Sequence, residues 1–221
     1  MTMEISKEQL TNIAAKVGAR NGYDSVEAEF SPFRDFKMKW QRSLTWISFE
    51  VADYLKHAPE DVLEELFGTI FRKIESNPDA RYTTRVKEYL TSEDFVRVNQ
   101  PVYVRRYRGT EPAGDRVAET YRDLVDEGLI EDDPHVMLLQ SKGRGLVAGA
   151  SSALMHVLMV NRDIAEGEDD ELLRYVVFAH ARRIQQGFSP EDPRAYERSL
   201  DDYPNRAEVE HKLRGEGLRL D

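Results

Sequence analysis

The chain has 221 residues, 40% hydrophobic and 33% charged, with no cysteine and a formal net charge of −10. That composition suits a soluble globular protein with a real core, in one large domain or two small ones. It excludes disulfides and thiolate metal sites, and the acidity argues against general affinity for nucleic acid or an anionic membrane. No apolar run approaches the roughly 20 residues that span a bilayer. MTMEISKEQL has neither the basic nor the apolar region of an export signal, so a cytoplasmic location is the expectation.

Residues 5–18 predict a short helix capped by Ser6, with Leu10, Ile13, Ala14 and Val17 on one face. The aromatic and β-branched stretch VEAEFSPFRDFKMKWQRSLTWISFEVADYL predicts two or three strands, Pro32 interrupting the first. Trp40 and Trp46, flanking QRSLT, are expected as core anchors. After Pro59 an acidic first turn opens a helix whose stripe is Val62, Leu63, Leu66, Phe67, Ile70 and Ile74. Residues 81–96 suggest a further helical stretch, and VRVNQPVYVRRYRG suggests extended chain ended by Gly109. A helix with Val117, Tyr121, Leu124 and Val125 on one face stops at Gly128. Strand-like runs with a glycine turn at Gly143 and Gly145 follow. Then comes the strongest helix of the second half, GEDDELLRYVVFAHARRIQQGF, ending at Gly187. SPEDPRAYERSLDDYP suggests a loop and short helix, and the tail after Pro204 is polar.

Two of these passages share one grammar. ISFEVADYLKHAPEDVLEELFGTIFRKI aligns without a gap on VLMVNRDIAEGEDDELLRYVVFAHARRI, 110 residues later, setting Asp53 on Asp163, Leu63 on Leu173 and Arg72 on Arg182. The pattern allows a duplicated strand–turn–helix unit, although any two such units share much of it. The expected division is a first α+β half over 1–110 and a second over 111–221, or one continuous domain.

The passage RGLVAGASSALMHVLMVNRDI…DDELLRYVVFAHARRIQQGF resembles the core of zincin-type metallopeptidases, particularly the SprT-like and related small archaeal and bacterial families. There a strand ending near an Asn leads into a helix of the form YVVxHExxHI. The resemblance covers about residues 146–188 and implies an α+β, zincin-like fold with a mixed or antiparallel sheet packed with helices. In that motif two His at i and i+4 bind zinc from one helical face and the intervening Glu activates the bound water. The matching residues here are Ala179, His180 and Arg183, and in the first unit Thr69, Ile70 and Lys73. Ala offers no electron pair and Arg stays cationic. The resemblance therefore implies a metallopeptidase-like chain with a degenerate motif, no catalytic residue and no cofactor, leaning away from an enzyme. An unidentified protein or peptide is its expected partner, and a membrane is not expected.

Other features invite chemistry. The five histidines, His57, His135, His156, His180 and His211, show no pair at helical ligand spacing, and His180 reads as a hydrogen-bonded core residue. A site rebuilt from remote His and carboxylates, supporting a non-zinc enzyme, stays open. SKGRGLVAGASS fits neither GxxxxGK[ST] nor GxSxG and reads as a turn into a strand. The acidic runs EDD at 131–133 and EGEDDE at 166–171 could bind Ca²⁺ or Mg²⁺, but the second suits a helix N-terminus and lacks the spaced loop ligands of an EF-hand. Arg97, Arg105, Arg106 and Arg108 interleave with Tyr103 and Tyr107, a mixture able to contact phosphates and stack on bases. This stretch makes nucleic acid the alternative partner, against the plainer reading of a charged edge strand.

Overall fold

The computed structural model describes residues 4–143, 145–188, 192 and 194–220. It is mixed α+β with two mixed sheets. The chain divides into two compact units, Met1–Phe95 and Val96–Asp221. No helix among the described residues is long and apolar enough to cross a membrane.

In the first unit, α1 (Lys7–Ala19) begins in a capping box: Ser6 accepts from the Gln9 amide while the Gln9 side chain accepts from the Ser6 amide. Strands β1 (Ser25–Ser31), β2 (Met38–Arg42) and β3 (Trp46–Ala52) form a sheet of order β1-β3-β2, with β1 parallel and β2 antiparallel to β3. A 3₁₀ turn leads to α2 (Glu60–Glu75). Alternate β3 residues Ile47, Phe49 and Val51 are buried, and Phe49 meets Phe67 and Phe71 of α2 edge-on at 5.2 and 5.4 Å. Glu27, Glu29, Lys39, Gln41, Ser48 and Glu50 share the opposite face by register and line an open polar hollow of about 380 Å³. Trp40, expected in the core, lies on the edge strand β2 and is 44% exposed. Helix α3 (Thr84–Leu90) follows, with Thr83 capping it.

The stretch expected to be extended is helical. Helix α4 (Glu93–Arg106) contains Pro101, and Ser92 Oγ accepts from the Phe95 amide at its start. Val96, Asn99 and Tyr103 are buried at the 3- and 4-residue spacing of one helical face. Pro101 and the valines mimic a strand, and burial of this face overrides them.

The second unit includes α4 from Val96 onward and opens its sheet with β4 (Thr110–Pro112). It continues with α5 (Asp115–Asp126), β5 (Met137–Ser141), β6 (Val147–Ser152) and β7 (Val157–Val160). Next come α6 (Arg162–Ala165), α7 (Asp170–Gln185), α8 (Ala195–Ser199), α9 (Arg206–Gly215) and β8 (Arg219–Leu220). The sheet order is β4-β5-β7-β6-β8, with β5 parallel and β6 antiparallel to β7. One face packs its Leu158 and Val160, with the partly buried Leu138, into a cluster with α5, α7 and α9. The other carries Leu139, Ala150, Val157 and Met159 against Tyr103 and Tyr107 of α4 and the residue after it, leaving a void of only about 10 Å³. Gln100 Nε2 fastens α4 further by donating to the carbonyls of His135 and Met155 at 2.8 and 2.9 Å. This packing explains why the division falls after Phe95 and not at residue 110.

Each unit contains a run of helix, three strands, a short helical turn and a long helix, α1 to α2 with β1 to β3 in the first and α5 to α7 with β5 to β7 in the second. In each the first strand is parallel and the second antiparallel to the third, which lies between them. The long helices begin at Glu60 and Asp170, 110 positions apart. The units differ in the second sheet face: polar and open in the first, apolar and covered in the second.

Candidate functional site

Asn161, at the end of β7, is only 3% exposed. Its Nδ2 donates to the carbonyls of Gly145 and Val147, both at 3.0 Å, and its Oδ1 accepts from the Asp163 amide at 2.8 Å, capping α6. Asp169 accepts from the Leu172 amide at 3.1 Å and caps α7, so the acidic run serves a helix start. Gly187 closes that end of the chain segment with φ +74°.

Along α7 the three motif positions meet different surroundings. Ala179 is wholly buried in the cluster between sheet and helices. His180 is equally buried, with Nδ1 3.2 Å from Ser151 Oγ on β6 and Nε2 without a hydrogen-bond partner among the described residues. Burial, with a smaller contribution from the Arg183 charge, pushes its pKa down to about 4, so the ring is neutral at pH 7. The helix and strand approach closely enough that a Cβ on Gly149 would lie 2.7 Å from both His180 Nε2 and the Met159 carbonyl oxygen. Arg183 is exposed and its guanidinium stands 5.4 Å from the centre of the Tyr196 ring.

The corresponding positions of α2 are similarly occupied. Thr69 is buried and donates to the Glu65 carbonyl at 3.0 Å, Ile70 is buried, and Lys73 Nζ lies 5.0 Å from the centre of the Tyr82 ring. In each unit a cation stacks on a tyrosine where the motif would place its second His.

These residues do not fit a zinc ion. At pH 7 His180 is the one of the six motif positions with a nitrogen lone pair to offer, and its ring is sealed against Gly149. Among the described residues no three His, Asp or Glu side chains converge as a metal site. One His–carboxylate pair does occur: His156, in the left-handed region at φ +49°, places Nδ1 2.6 Å from Asp133 Oδ2. Burial pushes the Asp133 carboxyl up, but hydrogen bonds from His156 and the His135 amide outweigh it and hold it below its usual value. This pair fastens the β6–β7 turn to the loop before β5.

Arg183 rims a cavity of about 540 Å³ between α7, α8, α9 and β8. Leu200 and Leu213 are buried in its floor. Tyr175 donates to Glu210 Oε1 at 2.6 Å, and Arg206 Nε donates to the same oxygen at 2.7 Å. Burial pushes the Glu210 carboxyl up, yet those two donors hold it below its ordinary value. Tyr196, Arg206, Glu210, Arg214 and Arg219 were not singled out by sequence reasoning. The only local signal was the i, i+4 spacing of Arg206 and Glu210.

The arginine–tyrosine stretch does not form a stacking platform. Tyr103 is buried, and Tyr107 packs 5.6 Å from it, both against the sheet. Arg97, Arg105 and Arg108 are exposed, and Arg106 is half-buried.

Compared with known proteins, the chain matches no family model, no curated protein and no solved structure.

Proposed function

We propose that the chain is a metallopeptidase-like protein without hydrolytic chemistry, built from two related zincin-like strand–helix units and serving as a protein- or peptide-binding module. The observation that carries this reading is the filled motif surface of α7: a buried methyl at Ala179, a neutral sealed imidazole at His180, and a stacked guanidinium at Arg183. Hydrolysis by the family's route needs a metal-bound water and a carboxylate beside it, and none of these side chains holds or activates one. The shared order and directions of strands β1 to β3 and β5 to β7 support the relationship between the two units. Binding through the arginine–tyrosine stretch draws no comparable support, because base stacking needs the tyrosine faces that the second sheet covers.

The test is a proteolysis assay on unfolded protein substrates with zinc, cobalt or manganese supplied. The expected result is substrate left intact with every metal. Clear metal-dependent turnover that co-purifies with the chain would contradict the reading.

A further inference from the structure

We infer that the cavity rimmed by Arg183 receives the C-terminal end of a peptide whose last side chain is apolar. The inference rests on reading the second unit as a binding module, and it assigns that module a ligand class. Three features of the cavity converge on this ligand. Its volume of about 540 Å³ lies in the range of pockets that enclose small ligands. Its floor is apolar, made by Leu200 and Leu213 with the partly buried Leu218 and Leu220 beside them. Its lining carries four arginines against two glutamates, in a chain whose net charge is −10.

The local pairing sharpens the charge argument. Glu210 is engaged by Tyr175 and Arg206, which leaves its carboxylate turned to partners within the protein. Arg206 also reaches Asp201 at 2.6 Å and is thereby fixed in place. Arg183 lies across the Tyr196 ring, and Arg219 is exposed on β8 with no ion pair among the described residues. A carboxylate entering here meets guanidinium groups whose planar donors match its two oxygens. The leucine floor would leave an inorganic anion half unsatisfied, whereas an apolar terminal side chain fills it.

The backbone supplies the third feature. Strand β8 is the last of its sheet, and among the described residues it pairs on one side only, with β6. Its residues Leu218, Arg219 and Leu220 border the cavity. An extended peptide can add to such an edge by main-chain hydrogen bonds while its end side chain and carboxylate enter the hollow.

The experiment uses the full-length protein and fluorescein-labelled hexapeptides, attached at their N-termini, ending in leucine as the free acid, in leucinamide, or in serine. Fluorescence anisotropy should show binding of the leucine acid, with amidation weakening it about tenfold or more, as loss of a charge-assisted pair implies. The serine-ended peptide should also bind more weakly. Arg183→Gln and Arg219→Gln should each weaken the acid severalfold and leave the amide unchanged, with the thermal unfolding curve unaltered. Equal binding of acid and amide, or no binding of either at millimolar peptide, overturns the inference. Mass spectrometry of the recovered probes separates the two readings: a cleaved peptide defeats the non-hydrolytic reading, whereas an intact one bound alike as acid and amide defeats only this assignment.

Discussion

His180 lies where three constraints meet: full burial, a single hydrogen bond to Ser151, and a backbone glycine pressed against the ring. Its folded-state pKa of about 4 is below the ordinary 6.5. Between those values the unfolded chain binds a proton that the folded one refuses, so this group makes stability fall as pH falls from about 6.5 to about 4. The loss over that window is up to about 3 kcal/mol, and above pH 6.5 the group contributes none. Asp133, Asp169 and Glu210, each held below the usual carboxylate range, add their own losses at acid pH. The comparison must therefore be with His180→Gln. Urea unfolding across pH 4 to 7 should show a shallower pH slope in the variant, and superimposable slopes would contradict the burial account. The sequence placed His180 correctly on a buried stripe, because helical spacing is a local property. It could not reveal Ser151, 29 positions away, or the close approach at Gly149, since both arise only when α7 meets β6.

The elements that were legible are those with their own punctuation. Helices α1, α2, α5 and α7 have a cap or acidic first turn and an apolar stripe, and their positions follow from sequence. The two or three strands expected in the first unit are three, and the strand-like runs expected in the second are β5 to β7. Helix α4 was not anticipated, because Pro101 and four valines within fourteen residues oppose helical propensity. Its helicity comes from burying Val96, Asn99 and Tyr103. An internal proline removes a backbone donor and strains the preceding turn, so Pro101→Ala should stabilise the protein by about 1 kcal/mol or more, read as a rise in the chemical-denaturation midpoint. A fall would show that the proline shapes a bend needed for packing on the sheet. Strands β4 and β8, three and two residues long, carry no readable signal, because their pairing partners define them. The candidate cavity shares that fate: β8 and α9 build one wall, and only the polarity of the tail was visible.

At the scale of the chain, an offset of 110 residues separates two strand–helix runs that share pairing directions and differ in their side chains. Sequence alignment offered the echo through a few shared residues, and the matching pairing directions give it structural content. The same backbone order supports two surfaces. A sheet face of Glu27, Glu29 and Glu50 is left to water, while one of Leu139, Val157 and Met159 requires α4 over it. That difference moves the unit boundary to Phe95–Val96, because a helix that follows the first unit in sequence belongs to the second in packing. It also bears on the proposed function: both long helices set a cation beside a tyrosine ring at the positions where the zincin motif would place its second His. The measurement that tests this most directly is the metal content of protein purified without chelators and dialysed against zinc. The expected result is zinc far below one ion per chain; stoichiometric zinc that is lost on His180→Ala substitution would contradict the account.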